Sequence, residues 1–419
     1  MSLPDEDRGA RHAGKARATA SAPPSRRRND LRFISDEPLS PYDRHVRREL
    51  GSWSSDIARA LACPPEEPTE RAAETVRAFQ ETALVAAYLD RPDEARLILN
   101  VALDFVAHEA APPGHAEARL LGFGPLIELA RLDARIGRPD ESLHVLERIG
   151  GLLRGGNLAF GALDITPPEW KALTERDASL ESNLAGAVAI ETLRAHLAAG
   201  RYRATIEAAL APGAADPVVE TMQREALIVA WCRTGRGEDA LVAAAQWAAE
   251  EHPIRRAIFE IRHAEALAAF GDPVRAHAVA EEAAGRVEQR MLSGPATLFD
   301  LAIAARATRL LAGLGDPLAT ELCRAALPAA AAVGDVPLHA ELALRIVETD
   351  AREDARAEAL EALRAVASGS GYRIPAVERA VEREDGPLVP RTVKERAPSY
   401  PALFARLLGF EPERGPRAA

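Results

Sequence analysis

Residues 225–240 read EALIVAWCRTGRGEDA, and residues 261–276 read IRHAEALAAFGDPVRA. In both, a run of helix formers meets a glycine, a short polar link follows, and a second helix-forming run begins. Gly235 and Gly271 suit a helix end, because glycine adopts the left-handed conformation without a Cβ clash. Asp, Glu or Pro just after the break suits the opening of the next helix. A link this short makes the two helices antiparallel neighbours.

The same punctuation stands at Asp90-Arg91-Pro92-Asp93, Gly137-Arg138-Pro139-Asp140, Gly200-Arg201-Tyr202, Gly315-Asp316-Pro317 and Gly334-Asp335-Val336-Pro337. Gly200, Gly235, Gly271 and Gly315 are spaced by 35, 36 and 44 residues. A period in the mid-thirties marks stacked helix pairs, none of which buries its apolar face alone. Ala72, Val76, Phe79, Ala83 and Ala86 fall on one helix face, as do Ala95, Leu99, Ala102 and Val106. No run of alternating β-branched residues competes, so no strands are expected.

Composition agrees. Of 419 residues, 47% are hydrophobic but only 5% aromatic, so Ala and Leu, both strong helix formers, carry the core. The formal net charge is −11. Residues 1–32 are about +4 and the remainder about −15. An acidic body repels phosphates, so nucleic-acid binding by the main domain is not expected. The imbalance of 49 Arg against three Lys points to a GC-rich bacterial genome. Cys63, Cys232 and Cys323 are odd in number and form no Cys-x-x-Cys pair, which argues for buried thiols in a reducing cytoplasm. No apolar run is long enough for a membrane span.

Three regions follow. Residues 1–41 read as a basic tail, disordered over 1–32 and extended over 33–41, where Pro38 and Pro41 disfavour helix in the residues before them. Residues 42–370 read as the helical array, with the best repeats over about 70–345. The glycine- and proline-rich stretch Arg154–Glu175 interrupts it. Residues 371–419 read as a C-terminal segment. Its short amphipathic helix, 399–410, carries Tyr400, Leu403, Phe404, Leu407 and Leu408 and suits a cap on the array or a docking peptide.

At these turns the chain resembles the tetratricopeptide repeat family, which places a small residue five positions after the turn glycine. Ala240 and Ala276 stand there, and Ala95 stands five after Asp90. Trp231 takes that family's aromatic slot in one repeat, while Ser142, Thr205 and Thr320 replace the small Ala in three other pairs. The resemblance implies an all-α solenoid whose first helices line a concave groove for a protein or peptide. By register, Glu225, Arg233 and Glu265 face that groove, with Arg262 adjacent. Trp170, after Pro167-Pro168 in the interrupting stretch, is a further binding candidate, since tryptophan is enriched at binding hot spots.

Catalytic signatures are missing: the sequence has no phosphate-binding glycine loop, no dinucleotide fingerprint, no Gly-x-Ser-x-Gly elbow and no His-Glu-x-x-His. Two Glu-x-x-His pairs, Glu141–His144 and Glu260–His263, have di-iron spacing. They fall in distant repeats, so no metal or other cofactor is expected. The expected function is a scaffold or adaptor binding through the groove. A ligand- or peptide-sensing regulator and an all-α enzyme of a bacterial biosynthetic pathway are the alternatives.

Overall fold

A computed structural model describes residues 30–37, 39, 50–62, 65–110, 116–211, 216–249, 252–350, 352–369 and 374–385. The described residues are all-α apart from one small hairpin. Its first helices are α1 (Leu50–Ala62), α2 (Pro68–Tyr88), α3 (Pro92–Phe105), α4 (Ala116–Arg119), α5 (Phe123–Arg135) and α6 (Pro139–Leu153). The hairpin strands β1 (Leu158–Phe160) and β2 (Leu163–Ile165) and helix α7 (Pro167–Arg176) follow. The regular part holds α8 (Ala178–Ala198), α9 (Tyr202–Leu210), α10 (Pro217–Arg233), α11 (Gly237–Ala248), α12 (Pro253–Ala269), α13 (Pro273–Ser293), α14 (Leu298–Gly313), α15 (Leu318–Val333) and α16 (Val336–Thr349). Helices α17 (Glu353–Gly369) and α18 (Pro375–Asp385) end the described chain. The proposed helix at 399–410 lies outside the described residues.

The turns explain the pairing. Asp90 and Gly137, Gly200, Gly235, Gly271, Gly315 and Gly334 all have positive φ. At six of them the next residue's N–H reaches back to the same place in the helix: Arg91 to Ala86 O, Arg138 to Asp133 O, Arg201 to His196 O, Arg236 to Trp231 O, Asp272 to Leu267 O and Asp316 to Leu311 O, all at 2.8–3.0 Å. This is the six-to-one bond of a Schellman cap, which satisfies a carbonyl left over at the helix end. Gly334 uses the simpler bond, N–H to Ala330 O at 3.0 Å. Gly237 serves differently: a Cβ there would overlap the Phe270 ring from the next pair.

From α8 onward each helix packs on its neighbours in sequence, and α10, α12, α14 and α16 also pack each on the next in that series. Helices α2, α5, α8 and α10 continue the same row toward the N-terminus. The first helix of each pair therefore forms an inner row. The second helices α3, α6, α9, α11, α13 and α15 form an outer row. Outer helices α3, α6 and α15 bury Leu, with Ile on α3 and α6. By contrast, α11 and α13 touch the inner row mainly through small side chains: α11 buries Ala240 and Ala244, and α13 buries Ala276, Ala280, Ala283 and Ala284. Small residues let helix axes approach closely, which is why Ala is needed in those slots. Two main apolar clusters result, and they meet on α8, which gives Leu184 to one and Ile190 to the other.

Two expectations need correction. The interrupting stretch contains strands: Leu158 pairs with Ile165 and Phe160 with Leu163 across Gly161-Ala162. Leu158, Leu163 and Ile165 are buried in the N-terminal core. Each strand alternates inward and outward for only three residues, Leu158–Phe160 and Leu163–Ile165, and the alternation changes phase at the turn. The second correction concerns the tail. Residues 31–33 form a 3₁₀ turn capped by the Asp30 carboxylate, and Ile34 and Leu39 are buried in the main core. Residues 1–29 lie outside the described residues.

Candidate functional site

The N-terminal segment lies across the inner row at α10, α12 and α14, and Arg262 is the centre of the contact. This side chain is 1% exposed. Its Nε and Nη2 donate to Glu225 Oε1 at 2.9 and 2.7 Å, tying α12 to α10. Nη1 donates to Glu265 Oε2 at 2.6 Å. The two remaining N–H donors go to the segment, Nη1 to the Ser35 carbonyl and Nη2 to the Glu37 carbonyl, each at 2.7 Å. All five guanidinium donors are thereby used, which a charge buried this deeply requires. Burial works against the Arg262 charge, but Glu265 and Glu225 overcome it and hold the guanidinium above its ordinary value.

The neighbours repeat the theme. Arg233, at the end of α10, donates through Nη2 to the Ile34 carbonyl at 2.8 Å and through Nε to Asp36 Oδ1 at 3.0 Å. Its Nη2 also reaches Asp36 Oδ2 at 3.3 Å. The Tyr202 hydroxyl donates to the same oxygen at 3.1 Å. Burial, and then the Asp36 charge, push the Tyr202 phenol above its ordinary value, so it remains a donor. Arg306 on α14 donates to the Glu37 carbonyl at 2.6 Å. Burial pulls its guanidinium below the ordinary value, against the opposing pull of Glu265. The Glu37 carboxylate lies 3.8 Å from Arg306 and 3.6 Å from Arg309.

The inner row also reads the segment's amides. Leu39 N–H donates to Glu225 Oε1 at 2.5 Å, and Asp30 N–H donates to the Ala269 carbonyl at 2.9 Å. Most of these bonds engage main chain, so they suit an extended backbone of any sequence. Asp36, Glu37 and the buried Ile34 and Leu39 supply side-chain discrimination. The segment does not fill the space. A cavity of 510 Å³ remains between Phe33, Ile34 and Ser35 on one side and Arg306, Arg309 and Gly313 on the other.

Of the residues named from sequence, Glu225, Arg233, Arg262 and Glu265 come together here. Trp170 does not. The capping box of Thr166 and Glu169 starts α7 so that Trp170 turns inward. It is 6% exposed and packs edge-on against Phe123 at 5.7 Å in the N-terminal core. Tyr202, Arg306 and Arg309 were not anticipated. Arg306 and Arg309 hold inner-face positions on α14, and the repeat register extended by one pair reaches them.

The Glu-x-x-His pairs have other surroundings. Glu141 and His144 are exposed on outer helix α6. Glu260 is bound by Arg256 at 2.8 Å and by Arg286 at 2.5 Å. Among the described residues, no group of three or more His, Cys, Asp or Glu side chains is placed to hold a metal ion. No described helix is long and apolar enough to cross a membrane. Burial pushes the Cys232 thiol up to about 12 and the Cys323 thiol to about 11. Comparison with protein-family models, curated proteins and solved structures finds no match.

Proposed function

We propose that this chain is an adaptor that binds an extended peptide of a partner protein along its inner helix row, in the manner of tetratricopeptide-like grooves. One observation carries the reading: the row already grips an extended chain through that chain's main-chain groups, at Ile34, Ser35, Glu37 and Leu39. Buried donors such as those of Arg262 and Arg306 are costly to leave unpaired. The carbonyls of another extended chain satisfy them equally well, since main-chain groups are the same in every sequence. The acidic partners of Arg262 hold its fork in place beforehand, which lowers the ordering cost of binding.

Random-peptide display against the full chain, and against its Asp36→Arg variant in parallel, tests the proposal. The expected result is an enriched family of peptides that is lost when Arg306 is replaced by Ala. Selections that enrich nothing with either protein contradict it.

A further inference from the structure

We infer that residues 30–39 are a built-in competitor for the peptide groove, and that the partner segment it mimics is acidic, with two adjacent carboxylates flanked by buried apolar residues. The inference rests on the peptide-binding reading above and specifies its ligand and its control. The segment reads Ile34-Ser35-Asp36-Glu37-Pro38-Leu39. Ile34 and Leu39 are buried at 3% and 2% exposure. Between them, the Arg233 fork meets both oxygens of Asp36, a planar match specific to a carboxylate. Tyr202 adds a donor to the same group. Glu37 lies between Arg306 and Arg309. A partner segment presenting the same order of groups takes the same places.

Two features make the segment a displaceable occupant. It belongs to the same chain as the row, so it competes as an intramolecular ligand rather than a free one. It also leaves the 510 Å³ cavity beside Phe33 and Ser35 open to a larger ligand. Gly313 lines that cavity, and a Cβ there would come within 2.9 Å of the Phe33 ring. A partner with longer side chains at the positions of Phe33 and Ser35 gains contacts that the built-in segment lacks. Tight binding of the partner therefore displaces the segment without any rearrangement of the helices.

The test uses full-length protein and a fluorescent peptide with the sequence of residues 30–40 as probe, read by anisotropy. Two release variants are compared with the unaltered chain: Ile34→Asp with Leu39→Asp, and Asp36→Arg, which sets a positive charge against Arg233 without touching the core. Circular dichroism and thermal melts verify that each is folded. The expected result is at least about tenfold tighter probe binding to a folded release variant than to the unaltered chain. Binding should fall about tenfold or more when the probe itself carries Asp36→Ala. Equal affinity for the unaltered and released proteins overturns the competitor while leaving the peptide-binding reading intact. Binding indifferent to the probe's Asp36 overturns the acidic ligand class. No binding to either folded release variant overturns the whole inference, and the display selection above then decides the peptide-binding reading separately.

Discussion

The inner and outer helix rows are built from the same Ala-rich composition yet have different surroundings. On outer helices α11 and α13 the buried residues are nearly all Ala, on one stripe. Val242 and Val274 on those helices are 69% and 78% exposed. On inner helix α14 almost every residue from Phe299 to Leu311 is buried, Asp300 and Arg306 included. Inner helix α12 buries Glu260, Arg262 and Glu265. An inner helix is covered by its outer partner on one side and by its row neighbours on two more. The N-terminal segment closes the remaining side at α10, α12 and α14. The difference teaches that where the N-terminal segment lies on the row, the buried charges Glu225, Arg262 and Arg306 hold it and Glu265 braces Arg262, while the buried alanines of α11 and α13 only pack.

The largest effect expected from breaking this contrast comes from Arg262→Leu. It takes from buried Glu225 and Glu265 the guanidinium that binds both, Glu265 retaining its 3.6 Å contact with Arg306, at a cost of about 3–5 kcal/mol. Urea denaturation read by circular dichroism measures it. The triple change Glu225→Gln, Arg262→Met, Glu265→Gln removes Arg262 together with both its carboxylates, leaving Arg306 to the Glu37 carbonyl and carboxylate, and should recover part of that stability. It should still leave the segment loosened, because the Arg262 donors to the Ser35 and Glu37 carbonyls are gone, although Arg306 still reaches the Glu37 carbonyl. A triple variant as unstable as the single one contradicts this division between folding and gripping.

A smaller loss is expected from overfilling the seam between rows. Ala276→Leu forces extra methylenes into a site with no exposed surface, at about 1–3 kcal/mol. Chemical denaturation should detect it, and an unchanged midpoint would show that the rows are looser than drawn.

The contrast extends to pH. His196, His263 and His339 stand on inner helices α8, α12 and α16, and burial pulls each imidazole below its ordinary value. The folded state then binds fewer protons than the unfolded state just below the unfolded pKa, about 6.5. Their contribution is complete above that value and is lost as pH falls through the folded values. The melting temperature should therefore drop between about pH 7 and pH 5. Replacing the three by Gln should flatten the slope in that window; an unchanged slope assigns it to other groups. The smallest effect belongs to the outer surface: Val274→Asp should change stability by less than about 0.5 kcal/mol.

The fold was legible because its turns carry local chemistry. Every glycine break named from sequence has positive φ, and even Asp90 adopts it in the glycine slot. Ala240 and Ala276, five residues after their glycines, are fully buried at the row seam. The hairpin was hidden by brevity: three-residue strands give little period-two signal beside Gly155-Gly156 and Pro167-Pro168. Trp170 misled because residue type alone does not say which way a helix turns its side chain. For the site, repeat register found the inner-face charges on α10 and α12. The other half of the contact is a long-range pairing between residues 30–39 and helices some two hundred positions later. Its only local trace is Ile34 and Leu39, two large apolar residues flanking an acidic pair beside a polar tail.

Hydrogen–deuterium exchange of the full chain, followed on peptides spanning residues 30–39, tests the central claim most directly. The amides of Asp30 and Leu39 are bound to Ala269 O and Glu225 Oε1. The segment should therefore exchange well below the rate of the free peptide of the same sequence. That protection should vanish in the folded Asp36→Arg variant while α12 remains protected. Exchange of residues 30–39 at the free-peptide rate in the unaltered chain would contradict the account.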